Sequence, residues 1–586
     1  MSEKILVCVA WPYCNGELHI GHIAGAYLPA DIYARYHRLR GNHVLMVSGS
    51  DTHGTPITVR AEEEGITPRE VVDRYHPAIV RLFKRIGISF DLFTETDTEN
   101  HWAVTQDFFR THLDKGYIYR ATMDQLHCLN CGHWLADRYV EGTCPFCGYV
   151  GARGDQCDNC GRTYDAVELK NPRCKWCGST DIEVQSTEHF FLDLARLNDP
   201  LLAWIGQGKE HWRASVLNQT RARLESRELR GRPITRDIDW GVTIPEPGFE
   251  DKRIYVWYDA VIGYFSASKE WAQTIGDADA WQAWWDDPAA RTYYFIGKDN
   301  IEFHSIIWPG MLIGYDTALN LPFDVPANEY LNVEGRKLSK SRRWVIGMND
   351  VLDRYDPDPW RYAIAANSPE TQDVNFTWEE FVRRNNEELV STWGNLANRV
   401  VSFAYKRFDG KVPEPGPLDD TDRALLDQVG PTFERVTALL DAVKLKQALE
   451  AAMALAHEAN RYLNAKEPWQ QIKIDPAAAA TSIYVALKVI DSLKTLLAPY
   501  LPFTSQRLHG YLGYDGELFG RQYDEVVQES QRRHLALRYD GSPAAGCWAP
   551  SDLAAGQALR PPAPLFVKLE PEVAEREMER MSGAAS

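Results

Sequence analysis

Four Cys-x-x-Cys pairs lie between residues 128 and 177, at Cys128/Cys131, Cys144/Cys147, Cys157/Cys160 and Cys174/Cys177. Eight thiols at this spacing must be closed by metal or by oxidation, and either closure forces short loops around a small core. Oxidation would call for an export signal. The first apolar stretch, Ile5 to Trp11, has only Lys4 as a preceding cation and no small-residue cleavage site after it, so it reads as a buried first strand. Thiolate metal sites in a reducing cytosol are therefore expected. Cys144, Cys147, Cys157 and Cys160 form C-x2-C-x9-C-x2-C, flanked by Cys128, Cys131, Cys174 and Cys177 as C-x2-C-x42-C-x2-C. Four thiolates suit tetrahedral zinc closed to solvent, which is structural rather than catalytic. Nested grouping is preferred because each knuckle pair then closes one small loop; sequential grouping stays open. His127 and His133 read as bystanders, and Cys8, Cys14 and Cys547 lie outside the pattern.

The 586 residues suffice for several domains, and 44% hydrophobic with 11% aromatic content is ordinary for globular cores. Charge breaks every long apolar run, as Lys488, Asp491 and Lys494 break Ile483 to Leu497, so no membrane span is expected. A net charge of −18 argues against a generic phosphate-coating protein and confines any nucleic-acid contact to local patches. The Arg-rich stretch from Arg213 to Arg236 is interleaved with acids and reads as a solvated mixed surface.

Lys4 to Cys8, the loop Trp11–Gly16, a helical pattern from His22 to about Arg40 and a second strand at Val44 to Ser48 make a βαβ unit of a parallel sheet. Strand signals return at Arg253 to Tyr258, Thr292 to Ile296 and near Tyr330 to Val333. Beyond about residue 385 apolar residues follow helical spacing, as in Leu425 to Leu440, Leu445 to Ala459 and Ile483 to Leu497, which predicts a helical bundle. The stretch from about 540 to 564 is rich in Gly, Pro and Ala. The charged Glu570 to Arg580 segment predicts a surface helix or a frayed tail.

Two short motifs carry chemistry. His19-Ile20-Gly21-His22 stands at a helix start, where free N–H groups and the helix dipole favour an anion. Far downstream, Lys337-Leu338-Ser339-Lys340-Ser341, between Arg336 and Arg342-Arg343, supplies cations that suit a pyrophosphate leaving group. Taken singly, each is more ordinarily a pair of surface histidines and a solvated basic loop. No Gly-Lys pair is followed by Ser or Thr, so there is no Walker loop.

Together the two motifs resemble the paired HIGH and KLSKS signature of class I aminoacyl-tRNA synthetases. The surrounding words are similar to the methionyl-tRNA synthetase family: Ala10-Trp11-Pro12-Tyr13-Cys14-Asn15-Gly16, Ser50-Asp51-Thr52-His53-Gly54-Thr55-Pro56, Tyr255-Val256-Trp257-Tyr258-Asp259-Ala260 and Phe295-Ile296-Gly297-Lys298-Asp299 through Phe303-His304 to Trp308-Pro309. The resemblance covers about residues 4 to 525. It departs from the family at Leu338, where Met is common, and at Val261, where some relatives carry proline.

The resemblance implies an α/β fold: a Rossmann-type parallel-sheet catalytic domain with a zinc-knuckle insertion, then an α-helical bundle that binds the anticodon. The implied division is 1–115 and 236–325 for the two catalytic halves, 116–235 for the insertion, 326–385 for a stem-contact segment, 386–525 for the anticodon domain and 526–586 for a partly flexible extension. The implied reaction makes methionyl-adenylate from methionine and ATP, then methionyl-tRNA, with Mg²⁺ accompanying ATP, two structural Zn²⁺ ions and tRNA(Met) as partner. His19, His22, Lys337 and Lys340 would be catalytic, with Asn15, Gly21, Gly297, Lys298, Asp299 and Lys340 at ATP. Ala10, Trp11, Tyr13, Asp51, Trp257, Ala260, Tyr264, His304 and Trp308 would hold methionine, with Asp51 on its ammonium. Without the family context Asp51 reads as a turn residue and Trp308 equally as sheet core. Asn395, Arg399, Pro468 and Trp469 would read the anticodon, although a bundle-packing tryptophan and a surface polar pair are the plainer reading of those residue types. The nested cysteine grouping fits the family as well. A cytoplasmic monomer is expected. A synthetase for leucine, isoleucine or valine is disfavoured by the missing editing insertion, one for cysteine by knuckles that read as structural rather than substrate-binding, and a noncatalytic zinc-ribbon RNA-binding relative by the intact His19, His22, Lys337 and Lys340.

Overall fold

A computed structural model describes residues 2–135, 139–154, 157, 159–160, 162, 164–339 and 344–585. Its central sheet is built from β1 (Lys4–Val9), β2 (His43–Ser50), β3 (Leu92–Glu95), β4 (Arg291–Gly297), β5 (Ala327–Asn328), β6 (Arg521–Gln528) and β7 (Arg533–Asp540), in the order β5-β4-β1-β2-β3-β7-β6. The first five pair in parallel, while β7 runs antiparallel to β3, and β6 to β7. In β1, Ile5, Val7 and Val9 enter one core while Leu6 and Cys8 enter the other. Both faces are covered, which is why the strand is an unbroken apolar run rather than an alternating one. Strand order reverses beside β1, so a crevice opens at the carboxyl ends of β1 and β4, the place where open α/β sheets bind ligands.

The insertion leaves the sheet as a long antiparallel arm, Ile118–Cys128 paired with Ile182–Leu192. At its tip a small sheet of Val140–Thr143, Val150–Arg153 and Lys170–Cys174 carries the cysteines around a core of its own. The tip returns to the half that carries the central sheet: Tyr139 hydroxyl meets Thr58 Oγ1 on the helix Thr55–Glu64, and Val59 packs against the tip's core.

Three local expectations change. Only Arg253–Ile254 is strand, and a helix spans Val256–Thr274. The run read as strand continues through Tyr258, Val261, Ile262 and Phe265, all buried at helical spacing. The run near Tyr330 forms Leu331–Val333, which pairs with Val374–Phe376 in a separate two-stranded sheet. The Leu425–Leu440 pattern divides between the helices Asp420–Leu426 and Val429–Asp441.

The helical half comprises these two with Asn395–Arg407, Leu445–Lys466, Pro476–Leu497 and Pro502–Tyr511. Arg361, fully buried, fastens it to the half that carries the central sheet: its Nη2 donates to Asp31 Oδ2 at 2.6 Å and to Pro499 O at 2.8 Å, and its Nε to Tyr500 O at 2.9 Å. Burial alone would raise the Asp31 carboxyl, but Arg35 and Arg361 hold it down at about 2. The chain then returns. The β6–β7 hairpin extends the central sheet, and the helix Glu572–Ala585 docks through Glu577, which meets Arg354 at 2.8 Å and Tyr355 hydroxyl at 2.9 Å. Of the two expectations for the charged end, the docked surface helix is what forms. No helix among the described residues is long and apolar enough to cross a membrane.

Candidate active site and metal centres

The loop after β1 is pinned to the end of β2. Asp51 N donates to Pro12 O and Cys14 N to Asp51 O, both at 2.8 Å, so Tyr13 lies beside Asp51. This places the aromatic residues around one carboxyl group. Tyr13 meets Trp257 edge-on at 6.2 Å, Trp257 stacks on Phe303 at 4.2 Å, and Trp11 lies 6.5 Å from Tyr264. Tyr264 hydroxyl and His304 Nε2 are 2.7 Å apart, and His304 Nδ1 lies 2.9 Å from Asn300 O. Since that carbonyl can only accept, Nδ1 carries the proton and Tyr264 donates to Nε2. Burial keeps the ring neutral, its pKa down at about 4. Ala10 O accepts from Tyr27 hydroxyl at 3.0 Å, and Ala260 sits one turn into the helix that carries Trp257 and Tyr264. Trp308 is fully enclosed: its Nε1 donates to Tyr294 hydroxyl at 2.9 Å, and its ring packs on Phe108 and Trp285, so it supports the wall from the core side.

Asp51 does not stand alone. Its Oδ1 accepts from His53 N at 3.2 Å, and His53 Nδ1 is 2.6 Å from Asp259 Oδ2 while its Nε2 is 4.0 Å from Asp97 Oδ1. Asp97 also pairs with Arg532 and, at 3.0 Å, with Arg69, which holds Glu95 too. Burial would discharge His53, but Asp259 and Asp97 raise it to about 10. Burial, and then the charge of Asp259, push Asp51 well above the usual carboxylate range. Four buried carboxyl groups (Asp51, Asp259, Asp97, Glu95) thus face three cations (His53, Arg69, Arg532), and Asp259 Oδ1 has no hydrogen-bond partner among the described residues. The cluster can accept one more cation, at the aromatic wall. His53 and Asp259 stand inside two of the family-like sequence words but were given no role there, and Asp97 carried no sequence signal.

At the other end of the crevice His19 caps the helical run 20–39, and its ring lies 3.8 Å from that of His22. Ile20 N donates to Ile346 O at 3.0 Å and Met348 N to Leu18 O at 3.1 Å, joining this turn to the segment after the lysine motif. A Cβ on Gly21 would lie 2.6 Å from Leu338 Cδ1, so the two signature motifs are in contact. Lys337 is exposed, with Nζ 5.0 Å from the centre of the Tyr330 ring; Lys340 lies outside the described residues. Asn15 and Gly297 are half-buried at the crevice. Lys298 and Asp299 are already engaged within the protein, Lys298 with Glu329 and Asp373 at 2.7 Å each and Asp299 with Tyr330 hydroxyl. Their charges therefore hold the loop after β4 rather than project freely into the crevice.

The cysteines assemble into two groups, Cys128/Cys131/Cys174/Cys177 and Cys144/Cys147/Cys157/Cys160, as nested grouping expects. Sulfur separations of 3.5–3.9 Å within them are far beyond a disulfide bond and match the roughly 3.8 Å edge of a tetrahedron with metal–sulfur bonds of about 2.3 Å. Each of three pairs closes by an N–H from the next glycine to the first cysteine's carbonyl: Gly132 to Cys128 at 2.9 Å, Gly148 to Cys144 at 3.1 Å and Gly178 to Cys174 at 2.9 Å. These glycines have φ of 69°, 73° and 72°, a region that other residues resist, so Cys-x-x-Cys-Gly was the fuller motif to look for.

In the helical half Arg399 and Trp469 come together, the guanidinium carbon 4.2 Å from the ring centre. Glu467 takes a left-handed turn (φ 43°) and Pro468 opens the next short helix, which sets Trp469 half-exposed beside Arg399. Asn395 is exposed one turn earlier on the same helix.

The family model described as "tRNA synthetases class I (M)" matches residues 5–401, and that of the "Anticodon binding domain of methionyl tRNA ligase" matches 412–538. The methionine–tRNA ligase of Thermomicrobium roseum is 55% identical over 585 residues, and that of Roseiflexus castenholzii 54% over 590, each alignment covering 99% of both chains. A Mycobacterium tuberculosis methionyl-tRNA synthetase, solved in complex with methionyl-adenylate, superposes with a TM-score of 0.75 at 25% identity, covering 97% of this chain and 100% of that one. On the two family models and on relatives above half identity along their whole length, this chain belongs to the methionyl branch of the class I aminoacyl-tRNA synthetases.

Proposed function

We propose that the crevice at β1 and β4 carries out the family's reaction, in which methionine and ATP form methionyl-adenylate and the methionyl group passes to tRNA(Met), with release of AMP and pyrophosphate. The observation that carries this reading is the buried cluster with one cation too few, facing an aromatic wall: it suits the ammonium of an amino acid whose soft, unbranched side chain contacts rings. The methionine ammonium sits on Asp51, its thioether among Tyr13, Trp257, Tyr264 and His304, and its carboxylate attacks the α-phosphate of ATP in line. No covalent enzyme intermediate is needed, so orientation and charge stabilisation dominate. His19 and His22 face the α-phosphate, Lys337 and Lys340 the departing pyrophosphate, and Asn15, Gly21 and Gly297 the nucleotide, whose Mg²⁺ arrives with ATP. The M. tuberculosis relative, bound to methionyl-adenylate, supports the same intermediate here. The two cysteine groups fit structural zinc, four sulfurs each, and hold the insertion's tip. A cytoplasmic monomer belongs to the same reading. Methionine-dependent exchange of pyrophosphate into ATP tests it, and absence of exchange with active, folded protein would refute it.

Trp469 and Arg399 receive the anticodon, with a splayed base stacking on the indole and Asn395 and Arg399 reading polar edges. Stacking of one base is worth about 1–3 kcal/mol. Trp469→Ala is therefore expected to lower aminoacylation of full-length tRNA by about fivefold to a hundredfold while pyrophosphate exchange stays near wild type. Equal loss in both assays, with a lowered melting temperature, would make Trp469 a packing residue instead.

A further inference from the structure

The hairpin formed by β6 and β7 completes the sheet beside β3 and brings Arg532 to the acid cluster from a part of the chain 435 residues away. Its Nη1 reaches Asp97 Oδ1 and, at 3.4 Å, Asp97 O, and its guanidinium carbon lies 4.2 Å from the centre of the Trp102 ring. The neighbouring Arg69 is shared among Asp73, Glu95 and Asp97. Arg532, by contrast, has Asp97 as its one ion-pair partner among the described residues. Asp97 in turn faces His53 across 4.0 Å, and His53 donates to Asp259 at 2.6 Å and, through its peptide N–H, to Asp51 at 3.2 Å. The loop that carries Asp51 is tied to the Asp97 segment independently, since Thr52 N donates to Thr96 Oγ1 at 3.0 Å and the two hydroxyls are 2.8 Å apart. The hairpin tip is held at the same place: Glu99 accepts from Ser530 and Gln531, and Glu529 from Glu99 N at 3.0 Å and Asn100 N at 3.2 Å.

We infer that Arg532 is a positioning residue for the methionine-ammonium site, holding Asp97 so that His53 stays with Asp259 and Asp51, and that hairpin docking thereby sets affinity for the amino acid. The inference rests on the reading that Asp51 receives the ammonium. Without Arg532, Asp97 keeps only Arg69, itself shared with Asp73 and Glu95, so its pull on His53 Nε2 grows against that of Asp259 on Nδ1 and the ring is drawn away from Asp259. The sign separates this from a simple field effect. Removing a cation would, by field alone, strengthen attraction for an ammonium; loss of His53 placement weakens binding.

The test measures methionine binding by calorimetry, and KM for methionine and for ATP in pyrophosphate exchange, on full-length wild type and four variants. Arg532→Gln is expected to weaken methionine binding about five- to tenfold, with KM for ATP unchanged, and Arg532→Lys to recover part of the loss. Arg538→Gln is the structural control. It removes a buried hairpin guanidinium that holds Asp91 O at 3.1 Å and Glu525 at 2.9 Å, and should lower Tm without moving KM for methionine. Asp51→Asn reports on the underlying reading. If Asp51→Asn loses methionine while Arg532→Gln binds it normally or more tightly, the role of Arg532 is wrong and the ammonium site stands. If Asp51→Asn binds methionine normally, the ammonium assignment fails and the inference fails with it. Equal shifts for Arg532→Gln and Arg538→Gln would reduce the hairpin to a purely structural element.

Discussion

Asp51→Asn is expected to weaken methionine binding by about 10²–10³-fold and leave ATP binding near its original value. Truncating one partner of a buried, hydrogen-bonded charge pair costs about 2–5 kcal/mol, and each 1.4 kcal/mol is a factor of about ten. The substitution preserves shape, and the backbone bonds of Asp51 to Pro12 and Cys14 do not involve its side chain, so the loop should keep its course. Burial and the charge of Asp259 favour the protonated carboxyl while an arriving ammonium favours the ionised one, so methionine binding is linked to release of a proton from Asp51. Methionine affinity should accordingly rise with pH until Asp51 is fully ionised, and calorimetry in buffers of different ionisation enthalpy should register proton release that Asp51→Asn lacks. Normal methionine binding by the variant would return Asp51 to the role of a turn residue.

The protein purified without chelator should contain two zinc ions per chain, and stripping them should unfold the tip of the insertion. Among the described residues the core of that tip has eleven buried members, Cys128, Cys144, Cys157 and Cys174 included, so little apolar packing remains once the sulfurs lose a common partner. Structural zinc contributes apparent binding free energies of about 10–16 kcal/mol in small finger peptides, far more than such a core could replace. Cys174→Ser should drop the content from two ions to one and loosen the outer group while the inner one persists, because nested groups share no sulfur. Elemental analysis gives the stoichiometry, and amide exchange at residues 139–154 and 164–178 locates the loss. One ion or none in the untreated protein would overturn the two-site arrangement. Among the described residues the tip meets the sheet half at the helix Thr55–Glu64, so methionine binding should outlast the loss of metal.

Features encoded within a few neighbouring residues were legible in the sequence. The first strand, the His19–His22 turn and the cysteine grouping depend on apolar runs, a helix start and ligand spacing, all of which are local. The bundle helices were legible because their apolar faces repeat every turn. Arg253 to Tyr258 misled because a short apolar run with β-branched and aromatic residues fits a strand and a buried helix equally well, and only the continuation to Phe265 decides between them. The pairing of Arg532 with Asp97 and of His53 with Asp259 could not be read at all. Such contacts are set by strand order and helix placement, and their residue types look like ordinary surface charge until the chain is folded. Lys298 shows the converse: its motif is legible, whereas its engagement by Glu329 and Asp373 depends on where a distant loop lands.

The hairpin also bears on the protein's own synthesis. Until β7 is made, β3 is the open edge of a parallel sheet, and an unpaired edge of that kind is a template for association with other chains. The residue that meets Asp97 emerges 435 residues later, which at about 5–20 residues per second leaves that edge bare for a time on the order of tens of seconds. Nascent chains of this protein therefore pass through a long stretch in which the catalytic half is assembled on one side and adhesive on the other. Ribosome-bound intermediates cut off before residue 533 should be the ones that chaperones retain, and those extended past 540 the ones they release.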